Sequence, residues 1–263
     1  MKNKVDFLDI PLDVLTMDET INKIDEAVFL NKHIHHCVIN AGKVVKIQKD
    51  EMLKESVINS DIINADGMSI VWSVRFLGYK IQERVAGIDL MENLIRLAHK
   101  KNYSCFFLGA KEEVVKNVVS YYSVKYSEKI IAGFRDGYFD EKDEKDIIKK
   151  IKESDAEFLF VAITSPKKEI FLNKYKNELK NINLIMGVGG SFDVIAGTIR
   201  RAPKYIQDLG LEWFYRFIQE PKRMWRRYLI GNFKFVILIF KAKFFSSAKQ
   251  NLNMLLVNLI IFK

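Results

Sequence analysis

Cysteine, histidine and proline are scarce in this sequence, and their scarcity excludes several kinds of site. Only two of the 263 residues are cysteine, four are histidine and four are proline. Cys37 and Cys105 lie in apolar runs, which predicts buried free thiols rather than a disulfide or a nucleophile. The histidines have no Cys or His partners at metal-ligand spacing, so we expect no metal site. No repeat or low-complexity linker is present, which favours one domain followed by a tail.

Acidic residues are absent from the C-terminal segment. Residues 221–263 contain nine Lys/Arg and no Asp or Glu. Of the 42 Lys/Arg in the chain, the other 33 equal the 33 Asp/Glu, so the formal charge of +9 belongs to this segment. A neutral body with a cationic tail predicts an anionic partner surface, which is either a membrane or a nucleic acid.

Long apolar runs are also missing, although a spanning helix needs about 18 such residues or more. The N-terminal residues have no signal-peptide core and carry acids early, so we expect a cytoplasmic protein. On a helical wheel, Phe233, Ile237, Phe240 and Phe244 share one face, with lysines on a narrow stripe beside them. This pattern is typical of a helix that lies on an anionic bilayer or in a partner groove. Peripheral membrane binding is the prediction, and self-association through the tail is the alternative.

Strand-like apolar runs alternate with helical patterns through the body of the chain. Strands are predicted at residues 35–40, 61–66, 105–109, 129–134, 158–163 and 184–188. Helices are predicted at residues 89–101, 111–125, 143–152 and 167–179, and Thr16 with Glu19 predicts a capping box. The alternation indicates an α/β fold, with a Rossmann-like, mostly parallel sheet and helices on both faces. We expect this domain at residues 1–210, and an arginine-rich, apolar helical appendage at residues 211–263 that completes the site and binds membrane.

Polar residues at the predicted strand ends are candidates for a site, because ligands bind beyond the carboxyl ends of parallel strands. Asp66 is either a general base or a cap of the helix that follows. Asn40 either binds a sugar or uracil or caps the helix that begins near Ala41. Asp89 is predicted to be an N-cap, whereas Arg84 has no evident helical role. These alternatives remain open from position alone.

A glycine-rich turn at residues 187–190 follows the last predicted strand. Glycine allows a backbone to approach a ligand closely. The dinucleotide-binding pattern would need Gly or Ala where Phe192 stands, and no P-loop is present, so a dehydrogenase is not expected. Asp193 is the one carboxylate within residues 187–200.

Arginines and aromatic residues cluster beyond this turn. Arg216, Arg223 and Arg226 are spaced by seven and three residues, so one helical path would bring them to the same side. Pro221 interrupts that path and predicts two helices, with the proline near the start of the second. Arginine forks bind phosphates bidentately, so the cluster indicates anion binding, membrane anchoring or both. The alternative is a solvated basic face.

Several of these segments together resemble the WecG/TagA/CpsF family of bacterial glycosyltransferases. They are Asn40, Ala65-Asp66-Gly67, the segment ERVAGIDL at residues 83–90, Pro166-Lys167-Lys168-Glu169, and GGSFD at residues 189–193. The most specific are Arg201-Ala202-Pro203, GLEWFYR at residues 210–216 and EPKRMWRRY at residues 220–228. The resemblance covers about residues 5–230.

The resemblance implies an inverting transfer of a hexose, of the N-acetylmannosamine type or related. The sequence contains no Asp-x-Asp pair, so we expect the reaction to be independent of metal. The donor is a UDP-sugar and the acceptor is a sugar linked through diphosphate to a polyprenyl lipid, in teichoic acid, capsule or exopolysaccharide synthesis. It implies a Rossmann-like fold and a tail seated on the cytoplasmic face of the membrane. Asp66 matches the family's base, and Arg216, Arg223 and Arg226 match arginines assigned to the diphosphate. We expect donor contacts from a further set: Asn40, Arg84, Glu169, Gly189, Gly190 and Asp193.

Two positions depart from the family pattern. Val38 replaces a threonine two residues before the asparagine, which removes a hydroxyl, and Lys168 replaces a glutamine. Both changes are expected in the donor site, where they would alter the contacts to an N-acetylmannosamine donor. Two other interpretations of the function remain. The protein could be a non-catalytic peripheral module that binds nucleotide sugars, or a nucleic-acid binder that stacks bases on the Arg-Trp cluster. The neutral body and the apolar tail argue against nucleic acid.

Overall fold

A computed structural model describes residues 4–225 and 229–244 of the chain. The strands within these ranges are β1 (Lys4–Phe7), β2 (Ile10–Asp13), β3 (Ile34–Ile39), β4 (Ile62–Ala65), β5 (Cys105–Gly109), β6 (Ile131–Arg135), β7 (Phe158–Ala162) and β8 (Leu184–Gly187). The longer helices are α1 (Met17–Phe29), α2 (Ala41–Ile47), α3 (Glu51–Ile58), α4 (Met68–Phe76), α5 (Gly87–Lys101), α6 (Glu112–Lys125), α7 (Glu144–Glu153) and α8 (Lys167–Tyr175). Shorter helices follow at α9 (Ser191–Ile195), α10 (Lys204–Asp208), α11 (Glu212–Gln219) and α12 (Pro221–Trp225). Residues 231–244, called the terminal helix below, are also helical.

The main sheet has six parallel strands in the order β4-β3-β8-β7-β5-β6. All residues of β3, β4, β5, β7 and β8 are buried. The sequences of parallel strands that are covered on both faces are continuously apolar and do not alternate between apolar and polar residues. The predicted fold class, a parallel α/β sheet between helices, is therefore confirmed.

The helices divide between the two faces of this sheet. One core contains Phe107 of β5 and is covered by α1, α5, α6 and α9, whereas Phe106 and Leu108 point into the opposite core. Side chains of a strand alternate between faces, so this split follows from the period of two. Helices α2, α3, α4, α7 and α8 cover the second face.

Predicted helix starts agree with the structure at several positions. Thr16 and Glu19 form the predicted capping box at the start of α1. Helix α12 begins at Pro221, as predicted from the missing proline N–H. Asp89 is not an N-cap, because α5 already begins at Gly87 and Asp89 lies in its first turn. That prediction was wrong.

An antiparallel hairpin of β1 and β2 lies outside the main sheet and was not predicted. Its turn residues Leu8 and Asp9 have φ of 57° and 63°. Two-residue hairpin turns need such left-handed conformations and usually signal them with Asn-Gly or Asp-Gly. The carboxylate of Asp13 then accepts a hydrogen bond from the N–H of Ile63 at 2.9 Å, which satisfies a backbone donor of the edge strand β4.

The terminal helix packs on the body through one face. Phe235 and Ile239 are 3% and 5% exposed and join the core that also contains Ile70 and Val74 of α4. The rings of Phe240 and Phe76 meet edge to face at 5.5 Å. None of the helices in the described ranges is both long and apolar enough to cross a bilayer.

Candidate active site

Three neighbouring strands bring the predicted site residues to one edge of the sheet. Strands β4, β3 and β8 are adjacent and parallel, so their carboxyl ends lie side by side. Asp66 follows β4, Asn40 follows β3, and the glycine turn follows β8. The expectation that the strand-end residues share one edge is therefore confirmed.

Asp66 is held at this edge by the start of α5. Its Oδ1 accepts a hydrogen bond from the N–H of Gly87 at 2.9 Å. It does not cap the helix that follows it, because the N-cap of α4 is Gly67 and makes no side-chain bond. The first N–H groups of a helix lack intrahelical partners and favour a nearby carboxylate. Within the described part of the chain, Oδ2 of Asp66 makes no hydrogen bond, so one oxygen is fixed and the other is available.

Val38 lies against the same contact. Its two methyl groups are 3.6 and 3.8 Å from where a Cβ on Gly87 would stand, and Oδ1 of Asp66 is 3.9 Å from that point. A Cβ at Gly87 would therefore be in ordinary van der Waals contact with both residues. The valine that replaces the expected threonine packs here as an apolar support for the start of α5.

Asn40 caps α2, as one of its two predicted roles required. Its Oδ1 accepts a hydrogen bond from the N–H of Lys43 at 3.1 Å. Side-chain caps of this kind leave the amide nitrogen unused. The amide NH₂ of Asn40 makes no hydrogen bond to any residue in the described ranges, so it can still donate to a ligand at the edge.

Three charged side chains form a buried cluster, the Lys43–Lys168–Glu169 trio, beneath this edge. Oε1 of Glu169 lies 2.8 Å from Nζ of Lys43 and 2.6 Å from Nζ of Lys168. The three residues are between 3% and 7% exposed. Burial acts to raise the pKa of Glu169, but the two ammonium groups outweigh it and hold this pKa down to about 2. Glu169 is therefore ionised, and its carboxylate is taken up by the lysines rather than exposed at the edge.

The glycine turn lies against Lys168 of this trio. A Cβ on Gly187 would be 2.9 Å from Cε of Lys168, so only glycine leaves room for that side chain. Gly189 has a φ of +55°, in the left-handed region that glycine adopts readily. Near Gly190, a Cβ would be 3.7 Å from Oδ2 of Asp193 and 3.8 Å from Nη2 of Arg216. The structure thus brings Gly189, Gly190, Asp193 and Arg216 together, and their contacts with a ligand stay a prediction.

Four charged residues fasten α11 to the body. Arg201 forms a bidentate pair with Asp89, at 2.6 and 2.8 Å, and its Nε lies 3.8 Å from Oε1 of Glu212. Nη1 of Arg84 donates to the other oxygen of Glu212 at 3.2 Å. The guanidinium of Arg84, a predicted donor contact, is therefore paired with a carboxylate of α11. Glu212 and Arg216 are one helical turn apart, so the same face of α11 carries both.

The remaining predicted arginines lie at the limit of the described residues. The backbone of Arg223 lies within α12. Arg226 lies outside the described ranges, so its predicted role stays a prediction. Among residues 4–225 and 229–244, no group of three His, Cys, Asp or Glu side chains is placed to hold a metal ion.

The sequence did not predict three charged residues that form the ion pairs around this site, namely Lys43, Arg201 and Glu212. Arg201 and Glu212 lie within the two most specific matching segments, which was a usable signal. Lys43 had none, because a lysine in the first turn of α2 reads as a surface residue. It is buried because its Nζ donates to the carbonyl of Val38 at 2.6 Å and pairs with Glu169.

Comparison with known proteins identifies the family of this chain. Residues 5–249 match the model of the glycosyl transferase WecG/TagA/CpsF family. A curated relative from Bacillus subtilis (strain 168) is 38% identical over 181 residues, which cover 69% of each chain. That relative is named N-acetylglucosaminyldiphosphoundecaprenol N-acetyl-beta-D-mannosaminyltransferase. Because the family model covers nearly the whole chain and the relative is 38% identical over two thirds of it, this chain belongs to the WecG/TagA/CpsF family of glycosyltransferases.

Proposed function

We propose that this glycosyltransferase moves a hexose from a UDP-sugar to an acceptor sugar that is linked through diphosphate to a polyprenyl lipid. The observation that carries the proposal is the carboxylate of Asp66, fixed by Gly87 through one oxygen at the ligand-binding edge of the sheet. The named activity of the Bacillus subtilis relative supports an N-acetylmannosamine-type donor and an N-acetylglucosamine acceptor. The product would serve a cell-surface polysaccharide or a teichoic acid.

In the proposed reaction, Asp66 is the general base. Its free oxygen accepts the proton of the acceptor hydroxyl while that hydroxyl oxygen forms a bond to the anomeric carbon. The bond from the anomeric carbon to the β-phosphate oxygen breaks, and UDP leaves with the electron pair. A single in-line displacement inverts the anomeric centre and needs one carboxylate only.

Positive side chains would stabilise the charge that develops on UDP. Arg216 lies beside Gly190 and Asp193, and preorganised cations aimed at a leaving group lower the barrier without reorganisation. We propose that Arg223 and Arg226 add to this charge and that no divalent metal is needed. Turnover that is unchanged by EDTA would agree with this, and turnover that falls with EDTA and returns with Mg²⁺ or Mn²⁺ would contradict it.

The terminal helix offers the proposed membrane contact, on the cytoplasmic face. Phe233 and Phe244 are 68% and 70% exposed, on the side away from the buried Phe235. Lys243 lies near the ring of Phe76, which is itself half exposed. An apolar face with flanking lysines suits an anionic bilayer, where each basic group contributes about 1 kcal/mol. Self-association through this face is the competing prediction, and light scattering without lipid tests it.

The direct test is a panel of UDP-sugars against a synthetic N-acetylglucosamine-diphosphate lipid. We expect UDP release that requires the lipid acceptor, and a product whose mass and anomeric NMR coupling define the sugar and an inverted linkage. Release of UDP without glycosylated lipid would indicate hydrolysis. Binding of UDP-sugars with no release for any donor would favour the non-catalytic module.

A further inference from the structure

The Lys43–Lys168–Glu169 trio contains one more cation than anion. Both lysines use the same oxygen of Glu169, at 2.8 and 2.6 Å. Cys37 adds no negative charge, because burial raises the pKa of its thiol. A buried charge without a counter-ion costs free energy. The surplus positive charge therefore indicates a place where an anion binds.

Lys168, rather than Lys43, is the member that can supply this charge to a ligand. Nζ of Lys43 already donates to the carbonyl of Val38 at 2.6 Å as well as to Glu169. The only contact of Nζ of Lys168 within hydrogen-bond distance in the described part of the chain is Oε1 of Glu169. An ammonium group has three donors, so Lys168 keeps two for a further partner.

The position of Lys168 fixes where that partner would lie. Its side chain passes along Gly187 and ends with Nζ 4.0 Å from where a Cβ on Gly189 would stand. The next residue of the turn, Gly190, faces Arg216. The ammonium group therefore approaches the glycine turn from below, and Arg216 approaches it from α11. Burial and the nearby charge of Lys43 lower the pKa of Lys168, and a bound anion would favour its charged form.

We propose that Lys168 binds an anionic group of the donor at the glycine turn, either a phosphate of UDP or a carboxylate on the transferred sugar; in the second case it would also determine specificity for the sugar. This inference rests on the proposed function, because it takes the bound molecule to be a nucleotide sugar. It goes further by assigning a charged partner to a position where the family pattern has a neutral glutamine. The two sources of the anion make different predictions for binding.

The test compares Lys168→Gln and Lys168→Met with the wild-type enzyme by calorimetry, using UDP, a UDP-hexosamine and a UDP-hexuronic acid. Both variants leave the ion pair of Lys43 with Glu169 in place, so we expect them to fold. Lys174→Gln is the control, since Lys174 lies on the same helix but is half exposed and pairs with Glu144 of α7. A lost charge-assisted contact should weaken binding about tenfold or more.

If Lys168 binds phosphate, all three ligands weaken alike in both variants. If it binds a sugar carboxylate, only the UDP-hexuronic acid weakens. Wild-type affinity for every ligand in either folded variant overturns the inference while the proposed function stands. Failure of the wild-type enzyme to bind any uridine nucleotide overturns both. Circular dichroism and the melting temperature identify a variant that has not folded, and the other variant then decides.

Discussion

Oδ1 of Asp66 accepts a hydrogen bond from the N–H of Gly87 at 2.9 Å, across a gap of 21 residues in sequence. The contact joins the end of β4 to the start of α5 and fixes the carboxylate at the edge where the glycine turn also lies. A general base must be positioned before its pKa matters. This single bond therefore gives Asp66 an orientation that a strand end alone would not provide.

Replacement of Asp66 by Asn should abolish most turnover and leave UDP binding intact. The amide keeps the size of the side chain but cannot take a proton, and loss of a general base costs about 10²–10⁴-fold in rate. The measurement is UDP release with a lipid-diphosphate acceptor, together with calorimetry of UDP. Asp61→Asn is the matched control, because Asp61 precedes the same strand at its opposite end and pairs with Lys176. Near-normal turnover in Asp66→Asn would remove its role as base.

Most of the sheet could be predicted because its strands are buried on both faces. The run at residues 105–109 matches β5 exactly in extent, and the neighbouring runs differ from their strands by one or two residues. The long-range ion pairs could not be predicted in this way, because burial of a strand says nothing about the partner of a distant charged residue. Asp89 was predicted to be an N-cap, but its partner Arg201 lies 112 residues away. No local pattern reveals a contact of that kind.

The terminal helix is a second case in which a local sequence pattern could not show a long-range contact. The helical wheel separated Phe233, Ile237, Phe240 and Phe244 from the rest, and the structure exposes all four by 40% or more. The wheel could not show that the opposite face, with Phe235, is covered by α4. Removal of everything beyond residue 228 would therefore uncover part of the core, and point substitutions are the cleaner test of membrane binding.

Arg216→Ala should weaken binding of UDP and of UDP-sugars by about tenfold or more. Its guanidinium lies beside Gly190, and a hydrogen bond to a charged group contributes about 1.5–3 kcal/mol. Calorimetry at two salt concentrations measures the loss. Lys222→Ala, an exposed cation of the neighbouring α12, controls for net charge. Equal affinities of Arg216→Ala and Lys222→Ala would show that Arg216 provides only general surface charge.

The stability of the fold should decrease below pH 6.5 because two buried histidines must stay neutral. Burial lowers the pKa of His35 from 6.5 to about 3 and that of His36 to about 4. The unfolded chain binds protons on these imidazoles below pH 6.5 and the folded chain does not, so the stabilisation is complete above that pH and is lost as the pH falls towards 4. Each histidine should remove about 1.4 kcal/mol of unfolding free energy per pH unit.

Urea unfolding at pH 7.5 and at pH 5 measures this slope. His36→Asn should reduce it, because one of the two proton-linked groups is gone. His99→Asn is the control, since His99 is exposed at the end of α5. The explanation fails if His36→Asn and His99→Asn show the same dependence on pH.

Phe235→Ala should destabilise the whole protein, because Phe235 is 3% exposed within the core shared with α4. Truncation of a buried phenylalanine costs about 3–5 kcal/mol. Urea unfolding measures the change, with Phe233→Ala, which is 68% exposed in the same helix, as its control. Equal stability of the two variants would show that the terminal helix does not contribute to the core.

Substitution of Phe233, Ile237 and Phe244 by serine should release the enzyme from membranes without unfolding it. These side chains are exposed by 68%, 40% and 70%, so their loss uncovers no core. Burial of each in a bilayer would contribute about 1.5–3 kcal/mol, and the triple variant should bind anionic vesicles about a hundredfold more weakly or worse. Sedimentation with phosphatidylglycerol vesicles measures this, and Phe29→Ser with Val124→Ser is the control, because these residues are 86% and 88% exposed elsewhere. Unchanged sedimentation together with a lower oligomeric mass would assign the same face to a second copy of the chain.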